Sequence, residues 1–247
     1  MSAPRFFLPM PLAAADVGRE VVLPDAVAHH ALRVLRVAVG DALTLFTGAG
    51  GEFAATLVRA DKRSASVRID AFDAVERECA IPVTLVQALA ASDTMDFVVR
   101  KAVEMGAAAI QPVVAARSAR FPAGERGDKR IAHWRQIAFA ACEQCGRNRV
   151  PAVHDVVDLA DWHAQRVAES PGIMLAPEAP SGLAALPAPS HGLDVLIGPE
   201  GGFAPNEVAR AVRAGIAPVR MGPRILRTET ASVAALAAVN TLWGDFR

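Results

Sequence analysis

The sequence is short of cysteine, of long apolar runs and of net charge, and each shortage narrows what the chain can be. Three cysteines, Cys79, Cys142 and Cys145, are too few for a disulfide framework and suit a reducing compartment. No apolar run approaches the roughly 20 residues that a membrane helix needs. The stretch MSAPRFFLPMPLAAAD (1–16) is a poor signal peptide, its short apolar run broken by three prolines. The expected location is therefore the cytoplasm, with no membrane partner. Lys and Arg together number 26, as do Asp and Glu, so the net charge is zero. Nucleic-acid binders are more often basic, because phosphate neutralisation supplies most non-specific affinity. Neutrality thus weighs against a dedicated binder, though not against a local patch rich in arginine, which suits bidentate phosphate contacts. Internal repeats are absent too.

What remains is a globular composition, 52% hydrophobic and 21% charged over 247 residues, enough for a real core in one large domain or two smaller ones. Residues 1–72 read as β-rich. RFFL (5–8), EVVL (20–23), ALTLF (42–46), EFAATLVRA (52–60) and ASVRIDAF (65–72) are strand-like runs, parted by turn signals such as GD (40–41) and GAGGE (48–52). Between them DAVAHHALRVLRV (25–37) has helical spacing that puts Val27, Ala31, Val34 and Leu35 on one side. Short strands plus one helix predict a small barrel. Beyond about residue 75 strands and helices alternate: VTLVQAL (83–89), a helix over 93–106, AIQPVV (109–114), a long helix over 128–147, GIMLAP (172–177), LDVLIGPE (193–200), a helix over 206–215, APVRMG (217–222) and a helix over 229–244. That order predicts an α/β domain around a mostly parallel sheet. The expected domains are 1–74 and 75–247.

Two glycine-proline turns stand out. IGPEGGF (197–203) follows an apolar strand and precedes a helix, the usual place for a phosphate loop. Pro199 has no N–H, however, Glu200 would repel an anion, and neither a Lys-Ser/Thr pair nor a GxGxxG is present. The glycines there permit close backbone approach to a ligand, or simply a tight strand-to-helix connection. A branched side chain at Gly201 is expected to block that approach. MGPRILRTETASVAAL (221–236) repeats the pattern, with Thr228 or Thr230 available to cap the next helix and Glu229 favourable in its first turn. Loops at the ends of parallel strands face the edge where open α/β sheets bind ligands. Backbone groups from both could hold an adenine edge, with Ile197, Ile225 and Leu226 against its faces.

Together the two turns, with HHALRVLRVAVGD (29–41), FVVRKAVEMGAAAIQPVVAARS (97–118) and WRQIAFAACEQCGRNRVP (134–151), closely resemble the RsmE family of 16S ribosomal RNA uridine-N3 methyltransferases, members of the SPOUT superfamily. The resemblance covers nearly the whole chain. It implies an N-terminal PUA-like β-barrel that binds RNA, a C-terminal α/β trefoil knot, S-adenosylmethionine as cofactor beside the knot, and a homodimer. The implied cofactor residues are Leu175, Ile197, Gly198, Pro199, Glu200, Gly201 and Gly202 from one side, and Met221, Gly222, Ile225, Leu226, Arg227, Glu229, Thr230 and Ala231 from the other. Arg227 is the first candidate to stabilise negative charge on the uracil oxygens, with Arg224 behind it, although packing at a helix end or dimer interface would also suit both. Glu200 could accept a proton, hold the cofactor's amine, or shape its loop through a neighbouring backbone group. The expected RNA contacts are Arg5, His29, His30, Arg33, Arg36, Arg117, Arg120, Arg147 and Arg149, acting on small-subunit rRNA. Two departures from the family pattern are Met221, where leucine is expected, and ALAASDTMD (88–96), which lacks the Lys-Gly that often precedes the aspartate. CEQC (142–145) has CxxC spacing but no second ligand pair, so no metal is expected. The alternative function is a non-catalytic RNA-binding protein with a degenerate knot domain.

Overall fold

The computed structural model describes residues 3–61, 64–166 and 170–246. The chain divides into two units: the first runs to Glu78 and takes in Cys142–Val150, and the second holds Cys79–Ala141 and the chain from Pro151 onward.

The first unit contains β1 (Arg5–Phe7), β2 (Glu20–Val22), α1 (Asp25–His29), β3 (Ala42–Phe46), β4 (Glu52–Ala60) and β5 (Ala65–Asp73), in the sheet order β1-β3-β4-β5-β2. β1 pairs with β3 in parallel, and β3–β4, β4–β5 and β2–β5 are antiparallel. Alternation sets the faces. In β4, Phe53, Ala55 and Leu57 turn into the core, and in β5 Val67 and Ile69 do the same. Two register shifts between β4 and β5 bend the pair, and all five strands contribute to one apolar core that includes Phe6, Leu43 and Leu45 or packs against it.

The helix expected over 25–37 is shorter and changes pitch. After α1 the chain makes a π-helical turn, His30–Val34, closed by Leu35 N–H donating to the His30 carbonyl at 3.0 Å. The wider turn inserts a residue into the helical count, and Arg36 then takes a positive φ of 56°. The apolar face consequently shifts. Ala28 and Ala31 are buried, whereas Val34 and Leu35, expected on the inner side, are 59% and 46% exposed.

Residues 142–150 complete this unit through polar contacts. Asn148 donates to the Val75 carbonyl at 2.8 Å and accepts from Arg5 Nη2 at 2.7 Å; Glu143 accepts the Phe7 N–H at 2.8 Å. Glu52 lies between Arg5, at 2.6 Å, and Arg77, at 2.9 Å. Burial alone raises the Glu52 carboxyl, but hydrogen bonds from Arg77 and Arg5 outweigh it and hold the group at about 2. A depressed carboxylate contributes stability that is complete above its ordinary value of 4.5 and is lost as pH falls toward about 2. Glu52→Gln is expected to cost no more than about 3 kcal/mol at neutral pH and to flatten the acid limb of the stability curve. Denaturant melts between about pH 5 and pH 2 check this; an acid limb identical to the parent's would show that the pairing contributes nothing.

The second unit is built on a sheet in which every strand pair is parallel: β6 (Val83–Ala88), β7 (Ala109–Val114), β8 (Ala152–Val153), β9 (Val157–Asp158), β10 (Gly172–Leu175), β11 (Leu193–Ile197) and β12 (Ile216–Val219). The order is β12-β10-β11-β6-β7-β8, with β9 also on β7. Predominantly apolar runs such as VTLV and LDVLI suit strands covered on both faces. The helices are α2 (Ser92–Glu104), α3 (Glu125–Cys145, whose last turn belongs to the first unit), α4 (Leu159–Gln165), α5 (Pro205–Arg213) and α6 (Thr228–Leu242). Val86, Ala88, Val113, Met174 and Leu196 form one core layer with Leu159 of α4 and Ala211 of α5. α2 and α6 pack against one another, and α6 buries Ala231, Ser232, Ala235, Leu236 and Val239 at helical spacing. The strand order reverses between β6 and β11. In an open α/β sheet the crevice at the carboxyl ends of strands around such a reversal is the natural ligand position.

Candidate functional site

At that edge β11 ends at Ile197 and the chain turns sharply into α5. Gly202 donates to the Pro199 carbonyl at 2.8 Å and has a φ of +66°, a conformation that favours glycine. Gly198 is held by space instead. A Cβ there would lie 3.3 Å from the Cα of Gly202 and 3.3 Å from the backbone N of Phe203. At Gly201, singled out in the sequence as the close-approach position, an added Cβ would meet the side chain of Arg117 rather than backbone, at the same 3.3 Å. Arg117 Nη1 donates to the Gly201 carbonyl at 2.9 Å. The Glu200 carboxylate accepts the Ala91 N–H at 3.0 Å. Ala91 immediately precedes α2, so Glu200 ties this loop to the start of that helix.

After β12 the second loop runs from Met221 to Arg227, with Gly222 at φ +74°. The N-cap of α6 is Arg227, which makes no side-chain capping bond. Thr228, expected as a possible cap, is instead buried and donates its hydroxyl to the Gly198 carbonyl at 2.7 Å. The two loops are thereby joined.

Between them lies a cavity of about 880 Å³. It is lined by Leu175, Ile197, Gly198, Pro199, Glu200, Gly201 and Gly202, and across from these by Met221, Gly222, Arg224, Ile225, Leu226, Arg227, Glu229 and Ala231. All but one of the residues expected in the slot meet there. The exception is Thr230, which is exposed and off the lining, since the helix turns it away from the face shared by Thr228 and Ala231. The lining also includes Thr94 at the start of α2, Ala176, Pro177 and Glu178 after β10, Phe203 and Thr228. The segment after β10 could have been found from its sequence, because APE directly follows the apolar run GIML just as GPE follows LDVLI. Thr94 carries no such signal. Ile225 is 84% exposed at the mouth, and Arg224 and Arg227 are exposed beside it.

The cationic residues expected to contact RNA differ in how deeply they are buried. Arg147 is buried and its Nε donates to Glu78 at 3.0 Å; Arg5 is committed to Glu52 and Asn148. Both side chains are taken up in building the first unit. His30 is half-buried, edge-on to Phe6 at 5.5 Å. His29, Arg33, Arg36 and Arg149 are exposed in the first unit, and Arg117 and Arg120 in the second. Within CEQC the Cys142 thiol is buried, donates to the Arg149 carbonyl, and is pushed up to about 12 by that burial. Among the described residues no group of three or more His, Cys, Asp or Glu side chains is placed to hold a metal ion, and no helix is long and apolar enough to cross a membrane.

The slot residues fit the cofactor that the sequence implies. A volume of about 880 Å³ falls in the range of small-molecule sites, with apolar walls at Ile197 and Leu226, bare backbone at Gly198 and Gly202, and carboxylates at Glu178 and Glu229 for a cationic ligand.

Comparison with known proteins agrees with this geometry. A family model described as an RNA methyltransferase domain matches residues 77–240, and one described as an RNA methyltransferase PUA domain matches 23–70. Ribosomal RNA small subunit methyltransferase E from Buchnera aphidicola is 30% identical, over 94% of this chain and 92% of its own. The crystal structure of ribosomal RNA small subunit methyltransferase E from Neisseria gonorrhoeae, bound to S-adenosylmethionine, is 39% identical and superposes with a TM-score of 0.93 over 100% of both chains. A Legionella pneumophila protein in complex with the same cofactor is 32% identical, with a TM-score of 0.94 over 100% of both. The chain belongs to the ribosomal RNA small subunit methyltransferase E family.

Proposed function

We propose that the protein methylates N3 of a uridine in small-subunit ribosomal RNA, giving 3-methyluridine, with S-adenosylmethionine as donor. The observation that carries this reading is the slot itself. Two glycine-proline loops and the segment after β10 converge at the carboxyl edge of a parallel sheet, around a cavity that an RNA-binding protein without catalysis would not need. When bound, the cofactor supplies an electrophilic methyl group on a sulfonium. Leu175, Ile197, Gly198, Leu226 and Ala231 would hold its adenosine part, with Glu178 or Glu229 available to its positive charge.

The chain's own residues then orient the base and manage charge. Uridine N3 is hidden by Watson–Crick pairing, so the target must be unpaired or flipped to reach the mouth. As the N3 proton leaves, negative charge builds on the uracil oxygens, and Arg227 at the rim is the group that stabilises it, with Arg224 as the reserve. In the first unit the exposed His29, Arg33, Arg36 and Arg149 are proposed RNA contacts, and in the second, separately, Arg117 and Arg120 are, working by shape and phosphate contacts. We further infer a C-terminal trefoil knot over the second unit, a PUA-like RNA-binding role for the first, a homodimer, no metal cofactor and a cytoplasmic location.

The deciding experiment is in two steps. Calorimetry with S-adenosylmethionine comes first, and an absence of binding at millimolar cofactor ends the enzyme reading. Labelled methyl transfer to undermethylated small-subunit rRNA, followed by nucleoside mass spectrometry, then identifies the product. Label in any nucleoside other than 3-methyluridine overturns the assigned position.

A further inference from the structure

Below the slot the central strand carries a side chain that its apolar neighbours do not call for. Gln87 stands near the carboxyl end of β6, fully buried, with Ile197 beside it in register. Its amide is completely engaged. Nε2 donates to the Ala88 carbonyl at 2.9 Å and to the Thr228 hydroxyl at 3.0 Å, while Oε1 accepts from the Ser232 hydroxyl at 2.7 Å. The Thr228 hydroxyl in turn donates a hydrogen bond to the Gly198 carbonyl at 2.7 Å, and Ser232 Oγ also lies 2.8 Å from the Thr228 carbonyl. Thr228 and Ser232 are four residues apart on α6 and so share a face. Donors and acceptors run in one direction, from the Gln87 amide through the Thr228 hydroxyl to the Gly198 carbonyl.

Buried polar groups are tolerated when every one is satisfied, yet a well-packed apolar set of similar volume generally serves stability as well. What apolar contacts lack is direction. This network joins the carbonyl that opens the first loop to the first turn of α6, which ends the second loop. Those loops are the opposite walls of the slot, and Gln87 itself is absent from the lining. We propose that Gln87 is a positioning residue for cofactor binding: acting through Thr228, it sets the separation of the two loops without touching the ligand. The proposal rests on the reading of the slot as an S-adenosylmethionine site.

Three substitutions in the full chain test it by calorimetry with S-adenosylmethionine beside thermal melts. Gln87→Met keeps the length of the side chain without its hydrogen bonds, Thr228→Val keeps the shape without the hydroxyl, and Thr228→Ser restores the hydroxyl. Losing a buried hydrogen bond of this kind is expected to weaken binding about tenfold in the first two, with Thr228→Ser within about threefold of the parent. A purely structural role would lower the melting temperature and leave the affinity of the folded protein alone. Affinities of folded Gln87→Met and Thr228→Val within about twofold of the parent's therefore overturn the proposal while the slot assignment stands. A parent chain that takes up no cofactor overturns both. Should these two variants fail to fold, Ser232→Ala, a change that the alanine-rich α6 accommodates, removes the bond to Gln87 Oε1 together with the contact to the Thr228 carbonyl. With both Ser232 contacts gone, binding is expected to weaken about threefold, and parent-like affinity there overturns the proposal equally.

Discussion

Gly198→Val is expected to weaken S-adenosylmethionine binding about a hundredfold, and Gly201→Val only a few-fold, although the two glycines are three residues apart in one loop. At Gly198 an added Cβ would lie 3.3 Å from the Gly202 Cα, the Phe203 N and the Phe203 Cδ2. Two of those three atoms are backbone and cannot swing aside, and the two methyls of valine extend further still. Overpacking of this kind costs about 1–3 kcal/mol, and each 1.4 kcal/mol is roughly tenfold in affinity. The strain falls directly on the loop that walls the slot, and it displaces the carbonyl to which Thr228 donates. At Gly201 the three atoms nearest a new Cβ are all in the Arg117 side chain, its Cβ at 3.3 Å, Cδ at 3.4 Å and Cγ at 3.8 Å. The exposed outer part of that side chain can rotate away, and only its Cβ, at 3.3 Å, must yield by a few tenths of an ångström, so the main loss is the hydrogen bond to the Gly201 carbonyl. Calorimetry on the two variants settles the order. A larger loss at Gly201 than at Gly198 would remove Gly198 as the tight point of the loop.

Arg227→Ala is expected to slow methyl transfer by about 100- to 1,000-fold, the usual cost of removing one group aimed at developing charge, while cofactor affinity stays within about threefold. Arg227 has an extended backbone, φ −64° and ψ 155°, one residue before the buried Thr228. Its side chain is exposed at the cavity mouth, but its backbone leads directly into the turn of α6 that Thr228 ties to the Gly198 carbonyl. That combination suits a guanidinium which must reach a substrate and still arrive in a defined place. Lysine keeps the charge but not the planar fork, so Arg227→Lys is expected to recover only part of the rate. Single-turnover transfer to small-subunit rRNA, with the cofactor saturating, separates chemistry from binding. A rate for Arg227→Ala within about threefold of the parent ends the assignment, and a large loss in Arg224→Ala instead moves the role to that residue.

Much of this site could be read from the sequence because its signals are periodic or punctuated. The alternation of apolar runs with helical spacing indicates a parallel sheet, and Gly-Pro after each of two strands marks the edge where the slot lies. What escaped reading depends on single residues or single contacts. The π-helical turn at His30–Val34 inserts one residue, which a 3.6-residue period does not register, so Val34 and Leu35 face outward against expectation. Gln87 sits inside an apolar strand with no spacing partner, and only the fold brings Thr228 and Ser232 to it, 141 and 145 positions away. Arg5 and Arg147 look like any other arginines until their carboxylate partners are seen. Gly198 and Gly201 are equivalent as letters, and they differ only in what a methyl group would strike.

The first unit's dependence on residues 142–150 bears on how the chain is made. Arg5 reaches Asn148 across 143 positions, and the Phe7 amide reaches Glu143 across 136. Synthesis proceeds from the N-terminus at about 5–20 residues per second, so the strands of this unit leave the ribosome many seconds before the segment that completes them. During that interval Glu78 has no Arg147, and Arg5 has no Asn148. A nascent chain stalled before residue 142 therefore exposes an unfinished unit, whereas one stalled once residue 150 has cleared the exit tunnel can close it.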